Sequence, residues 1–255
     1  MILVMQEDEP NRMKGVTHWF CGFPGSLVLE QEHRCIDALL SKLFGYYLLQ
    51  IGSIGGRVEP EQGDHIRSRI LVTPEPMGSC LGRIRGSPGR LPIASDSIDV
   101  VLLVHTLDFY PSPHQTLREA DRVLIPEGRL VIVGFNPWSF CGLWRLVRWN
   151  SSKPPWNGRF IAQHRLYDWL SLLGFEVETT WSVMFRPPFQ HRSLMDRLQF
   201  MERLGRRWWP ALSGVYVIQA VKRVSTLTPL KPTWRFKRSV LTGRAIEPST
   251  RNSRG

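Results

Sequence analysis

The sequence has only four cysteines, Cys21, Cys35, Cys80 and Cys141, and no two of them form a C-x-x-C pair. Dithiol redox chemistry and a cysteine-based metal site are therefore excluded, and the thiols read as idle groups in a reducing, cytoplasmic setting. No apolar run approaches the roughly eighteen residues that a membrane-spanning helix requires. The first ten residues hold three acids and no basic residue, which is not the pattern of a secretory signal. Acids are also scarce near the C-terminus: from Lys222 to Gly255, nine lysines or arginines stand against Glu247 alone. That segment carries most of the formal net charge of +11, so the excess belongs to an appendage and the rest of the chain is only mildly basic. Such a tail is suited to weak contact with RNA or anionic lipid, or merely to solubility, and argues for no specific nucleic-acid partner. Internal repeats are absent.

What is present is apolar patterning. A hydrophobic fraction of 42% is enough to bury a sizeable core. Ile98 to Val104 (IDVVLLV) reads as a strand buried on both faces. Thr116 to Leu124 reads as a helix with Pro113 near its start and Leu117, Ala120, Val123 and Leu124 on one stripe. Pro126-Glu127-Gly128 breaks it, and Arg129 to Phe135 is a second apolar strand. Strand, helix and strand in this order make a βαβ unit with parallel strands and a right-handed crossover.

Around that unit the chain divides into a lead and aromatic loop over 1–25, a domain over 26–223 and a disordered basic tail over 224–255. Ser26 to Phe44 has helical spacing, with Leu29, Ile36, Leu39, Leu40 and Leu43 inward and Glu30, Glu32, Arg34, Asp37 and Lys42 mostly on the other side. Tyr46 to Ile51 is the first strand, followed by the glycine-rich turn Gly52-Ser53-Ile54-Gly55-Gly56. Glycine there allows backbone to approach a ligand closely and leaves N–H groups free at a helix start. Ile66 to Val72 and Cys80 to Arg85 are the next strands. The segment 137–149 is amphipathic, with Phe140, Leu143, Trp144 and Val147 on one face. Packing over a substrate cavity is the favoured reading, and a role at a lipid headgroup boundary is the other. A helix over 161–173, a strand over 175–181, an insertion over 186–210 with a short helix near 193–204, and a last strand over 214–221 complete the order.

The wording of Leu91–Asn136 resembles the class I S-adenosylmethionine-dependent methyltransferases, and within them the small-molecule type 11 group. The resemblance rests on LP[FI]-x-x-x-S-[FI]-D-x-V, on a histidine ending the strand, and on R-E-x-x-R-V-L-x-P-x-G-x-L-V-I. It implies an α/β, Rossmann-like, seven-stranded, mostly parallel sheet in the order 3-2-1-4-5-7-6, with the last strand antiparallel and helices on both faces. It further implies S-adenosyl-L-methionine as cofactor and a small-molecule acceptor.

The family pattern at the first turn, D/E-x-G-x-G-x-G, meets Gln50-Ile51-Gly52-Ser53-Ile54-Gly55-Gly56 here. Gln50 replaces the acid and Ile54 the middle glycine. By position the resemblance assigns cofactor contacts to Gln50, Gly52, Ser53, Gly55, Gly56, Glu75, Ser87, Leu91 and His105. Glu75 stands where an acid would grip the ribose, and Ser87 where an acid would meet the adenine. His105 ends the fourth strand and Asn136 the fifth, at the edge where open α/β sheets bind ligands. His105 is the candidate base, with Asp108 and Asn136 as orienters. The altered residues at 50, 54 and 87 also allow an alternative, a non-catalytic methyltransferase-like binding module with a degenerate cofactor site. An NAD-dependent oxidoreductase fits the glycine spacing poorly.

Overall fold

The computed structural model describes residues 8–52, 65–74, 82–147, 155–187 and 192–224. Seven strands form one sheet in the order β3-β2-β1-β4-β5-β7-β6. They are β1 (Phe44–Ile51), β2 (His65–Thr73), β3 (Arg83–Arg85), β4 (Ile98–Val104), β5 (Leu124–Phe135), β6 (Phe175–Val183) and β7 (Val215–Lys222). Strands β1 to β5 run parallel to one another, and β7 is antiparallel to both β5 and β6. The order and sense are those the sequence resemblance implied.

Alternation along the central strands divides the core in two. Val100, Leu102 and Val104 of β4 face one cluster with Val16, Phe20, Val28, Ile36, Leu39 and Leu40 from helices α1 (Asp8–Cys21) and α2 (Gly25–Leu40). Val101 and Leu103 face the other cluster, with Leu117, Ala120 and Val123 of helix α4 (Pro113–Val123) and Leu166 and Leu170 of helix α6 (Gln163–Leu172). The short helix α3 (Thr106–Phe109) contributes Phe109 to the first cluster and Leu107 to the second. A run of β-branched and aliphatic residues without polar alternation is what a sheet covered on both faces demands.

Four expectations need correction. The aromatic segment 18–25 is not a loop throughout, because α1 continues to Cys21 and buries Val16 and Phe20 completely. Glu32 does not lie on the outer face of α2: it is 1% exposed, on the buried line Val28–Glu32–Ile36–Leu39. Strand β5 begins at Leu124, which pairs with Ile98 before a register shift absorbs Pro126 and Glu127, so the helix ends one residue sooner than its apolar stripe suggests. The insertion forms two helices, α7 (Arg192–Arg197) and α8 (Phe200–Trp208), in place of one. The basic tail from residue 225 lies outside the described residues, as do the strand residues expected at 80 and 81.

The familiar wording over 91–124 has a structural cause. Glu119 of α4 accepts the Leu91 N–H at 2.9 Å, and Arg122 donates to the Leu91 carbonyl at 3.1 Å and the Ile93 carbonyl at 2.9 Å. The two side chains also pair with each other at 2.8 Å. One carboxylate and one forked guanidinium thus fasten the loop before β4 to the helix after it.

Candidate active site at the strand ends

The parallel strands deliver their C-terminal ends to one edge, where Ile51 lies beside Leu103 of β4 and Val72 of β2. Gly52 turns the chain away there with φ +85°. A Cβ at this position would come within 2.6 Å of the Val104 carbonyl oxygen and 2.8 Å of Thr106 Oγ1, so only glycine fits. Thr106 Oγ1 donates to the Ile51 carbonyl at 2.7 Å, which ties the start of α3 to the end of β1. Gln50 is buried and donates from Nε2 to the Gly52 carbonyl at 3.1 Å. The amide that stands where the family has a carboxylate therefore braces the turn itself. Ser53, Gly55, Gly56 and Glu75, named as cofactor contacts from the sequence, lie outside the described residues.

His105 occupies the end of β4 in the left-handed region, with φ +48°. Its ring is fully buried, 4.2 Å from Phe135 and 5.4 Å from Phe20 between centroids. Nδ1 stands 2.9 Å from Asp108 Oδ2 and Nε2 stands 2.9 Å from Glu32 Oε1. Asp108 Oδ2 also accepts the Phe135 N–H at 3.0 Å. A neutral imidazole has one N–H and would leave its other nitrogen facing a carboxylate lone pair, so the geometry calls for the imidazolium. Burial works against that charge. Glu32's negative charge and the hydrogen bonds from Asp108 and Glu32 outweigh it, and the pKa of His105 rises to about 9. Burial pushes the Asp108 carboxyl up, against the pull of the imidazolium.

This raised histidine makes stability depend on pH. Below its ordinary value of 6.5 both the folded and unfolded chains hold the proton; between there and about 9 only the folded chain does. Unfolding then releases a proton, so stability falls with rising pH, by about 1.4 kcal/mol per unit and about 3 kcal/mol in all. Asp108, also raised, acts in the same sense at lower pH. Urea titrations at several pH values across this window check it: a level profile means that the imidazolium is not held by the fold.

The remaining assigned residues are committed locally. Ser87 Oγ lies 2.8 Å from Tyr110 Oη. Leu91 packs in the α4–α6 core, and both its peptide groups belong to the Glu119–Arg122 clamp. Asn136 donates from Nδ2 to the Ala211 carbonyl and accepts the Trp138 N–H at 3.1 Å, so it shapes the turn into helix α5 (Phe140–Val147) and has no bond to His105. Of the two residues expected to orient His105, Asp108 is hydrogen-bonded to it and Asn136 bonds to backbone. The residue missed is Glu32, and its signal was the spacing 28–32–36, which places it on the buried stripe. Among the described residues no group of three His, Cys, Asp or Glu side chains is arranged to hold a metal ion.

A methyltransferase-domain family model matches residues 67–132, the span from β2 through β5 that includes the clamp and His105. The Escherichia coli (strain K12) protein YafS is 36% identical over 209 residues, 81% of this chain and 82% of its own length. This chain belongs to the same family as YafS and carries a methyltransferase domain of the type 11 group. Solved structures agree on the fold at low identity. A structure of the Trm112 methyltransferase-activator complex of Haloferax volcanii aligns with TM-score 0.55 at 15% identity, over 75% of this chain and 88% of that one. An S-adenosylmethionine-dependent methyltransferase of Thermotoga maritima aligns with TM-score 0.50 at 21% identity, over 74% and 87%. The C-terminal ends of β1 and β4 lie at the edge where open α/β sheets bind ligands.

Proposed function

We propose that the chain is an S-adenosylmethionine-dependent methyltransferase acting on a small-molecule acceptor. The observation that carries the reading is the Gly52 turn. It crosses the end of β4 so closely that a side chain is excluded, which presents bare backbone at the edge where the fold binds its cofactor. The residues fit the cofactor at Gly52 in shape. At Gln50 they fit in a changed chemistry, since an amide oxygen accepts a hydrogen bond from an ammonium group without supplying charge. When bound, the cofactor supplies a methyl group on a sulfonium centre, and positioning of the acceptor provides much of the rate.

In this reading Gln50 and Gly52 hold the cofactor together with Ser53, Gly55 and Gly56, Ser87 and Glu75 take the nucleoside side, and Leu91 supports that wall. His105 acts as a positioning residue: with both nitrogens engaged it fixes the end of β4 beneath the turn, and Asp108 and Glu32 fix His105. Asn136 sets the backbone on the acceptor side.

Titration calorimetry with S-adenosylhomocysteine tests the reading. Micromolar binding is expected, weakened about tenfold or more by Gln50→Leu, which removes one hydrogen-bonding side chain. Absence of binding at millimolar ligand would sink it. A second reading has its own observation. The Gln50 amide and the Ser87 hydroxyl are both engaged within the protein, as they would be in a binding module that has given up the cofactor. That outcome of the titration would favour the module.

A further inference from the structure

Helix α8 is amphipathic the wrong way round. Its inward side carries Gly205, packed against Phe185, and Glu202, which accepts from the Phe185 N–H and pairs with Arg186 at 3.0 Å. Its apolar line Phe200–Leu204–Trp208, one residue every four, faces solvent at 58%, 46% and 67% exposure. Trp209, which caps the helix, is exposed as well. Across the turn at Pro210–Leu212, helix α5 also turns its apolar side outward: Phe140 and Leu143 are exposed while Cys141 is buried. The packing role expected for the 137–149 segment is thus not what the fold shows for Phe140 and Leu143. A groove of about 430 Å³ lies between α5 and the turn at Pro210–Leu212 that follows α8, lined by Trp138, Phe140, Leu143 and Leu212.

We infer that this face docks on an anionic lipid bilayer. Charge selects that occupant. Arg203 and Arg207 stand exposed beside the apolar line, while the only acid of α8, Glu202, points inward. Exposed tryptophan beside arginine suits the headgroup boundary, where the ring is half in hydrocarbon and the guanidinium meets phosphate. A second copy of this chain is the weaker occupant, because a two-fold interface on this face would bring the same arginines together. The patch sits beside the C-terminal end of β5, held there by the Asn136 bond to Ala211 and the pairing of Phe135 with Val215. It therefore borders the edge that the methyltransferase fold uses, although the docking itself does not rest on that activity.

Sedimentation with vesicles tests it on the full chain. Binding is expected to phosphatidylcholine vesicles containing phosphatidylglycerol, with much weaker binding to phosphatidylcholine alone. The triple change Phe200→Ser, Leu204→Ser, Trp208→Ser keeps every charge, including those of the C-terminal segment, and removes side chains that face solvent. It is expected to lower the partition coefficient at least about tenfold while circular dichroism and thermal midpoint stay as in the wild type. Arg203→Ser with Arg207→Ser is expected to lower binding to the charged vesicles in particular. Equal binding by the triple-serine chain would assign the membrane contact to the basic segment and overturn the inference. So would failure of the wild type to bind, or a wild-type dimer in the absence of vesicles that the triple change dissolves.

Discussion

Replacing His105 with alanine is expected to lower the free energy of unfolding by about 3–5 kcal/mol, the scale for breaking a buried ion pair from one side. The ring sits between Glu32 and Asp108 with no exposed surface, and its removal leaves two buried carboxylates without their shared cation. Their outer oxygens, Glu32 Oε2 and Asp108 Oδ1, have no other partner among the described residues, so nothing nearby compensates. Glu32→Ala is expected to cost nearly as much, since it strands the imidazolium that Asp108 alone must then balance. Urea denaturation near neutral pH measures both. Glu32→Ala combined with His105→Ala should cost less than the two singles added, because the second change removes the charge that the first left unpaired. An His105→Ala chain as stable as wild type would show that the ring carries no charge in the fold.

Gly52→Ala is the second large effect. A left-handed conformation costs a residue with a Cβ about 1–2 kcal/mol. Here the new carbon would also lie 2.6 Å from a backbone oxygen of β4, which cannot rotate away. Overpacking of that kind adds about 1–3 kcal/mol. The expected total of about 2–5 kcal/mol is read from the thermal midpoint, together with loss of S-adenosylhomocysteine binding. Unchanged stability with unchanged binding would mean that the turn does not meet β4 as described.

Much of the fold was legible in the sequence because its strands are continuous apolar runs and its helices carry clean stripes. Ile98 to Val104 shows this well: the strand has the bounds that the run of β-branched residues suggested. The site was less legible, and for a definite reason. Helical spacing sorts residues by side, but a charged residue on the buried side is normally read as outward, so Glu32 was assigned by its chemistry rather than its phase. His105 was legible as a strand end and not as a buried cation, since its partners lie 73 and three residues away and only one of them is local. The outward-facing line on α8 had the same difficulty in reverse. Apolar residues at four-residue spacing read as core, and Gly205 against Phe185 with Glu202 against Arg186 reveals which side faces in.

The clamp between Glu119, Arg122 and the loop at Leu91–Ile93 is made of bonds from one helix to the backbone of that loop, and it is the wording by which the chain is recognised. The most quotable signature of the sequence is thus a fastening of the scaffold. A chain that had lost its chemistry would be obliged to keep it for as long as it folded. Inventories of genomes compiled from that signature count folded descendants, and the share of them still performing catalysis has to be learned from the turn at the end of the first strand.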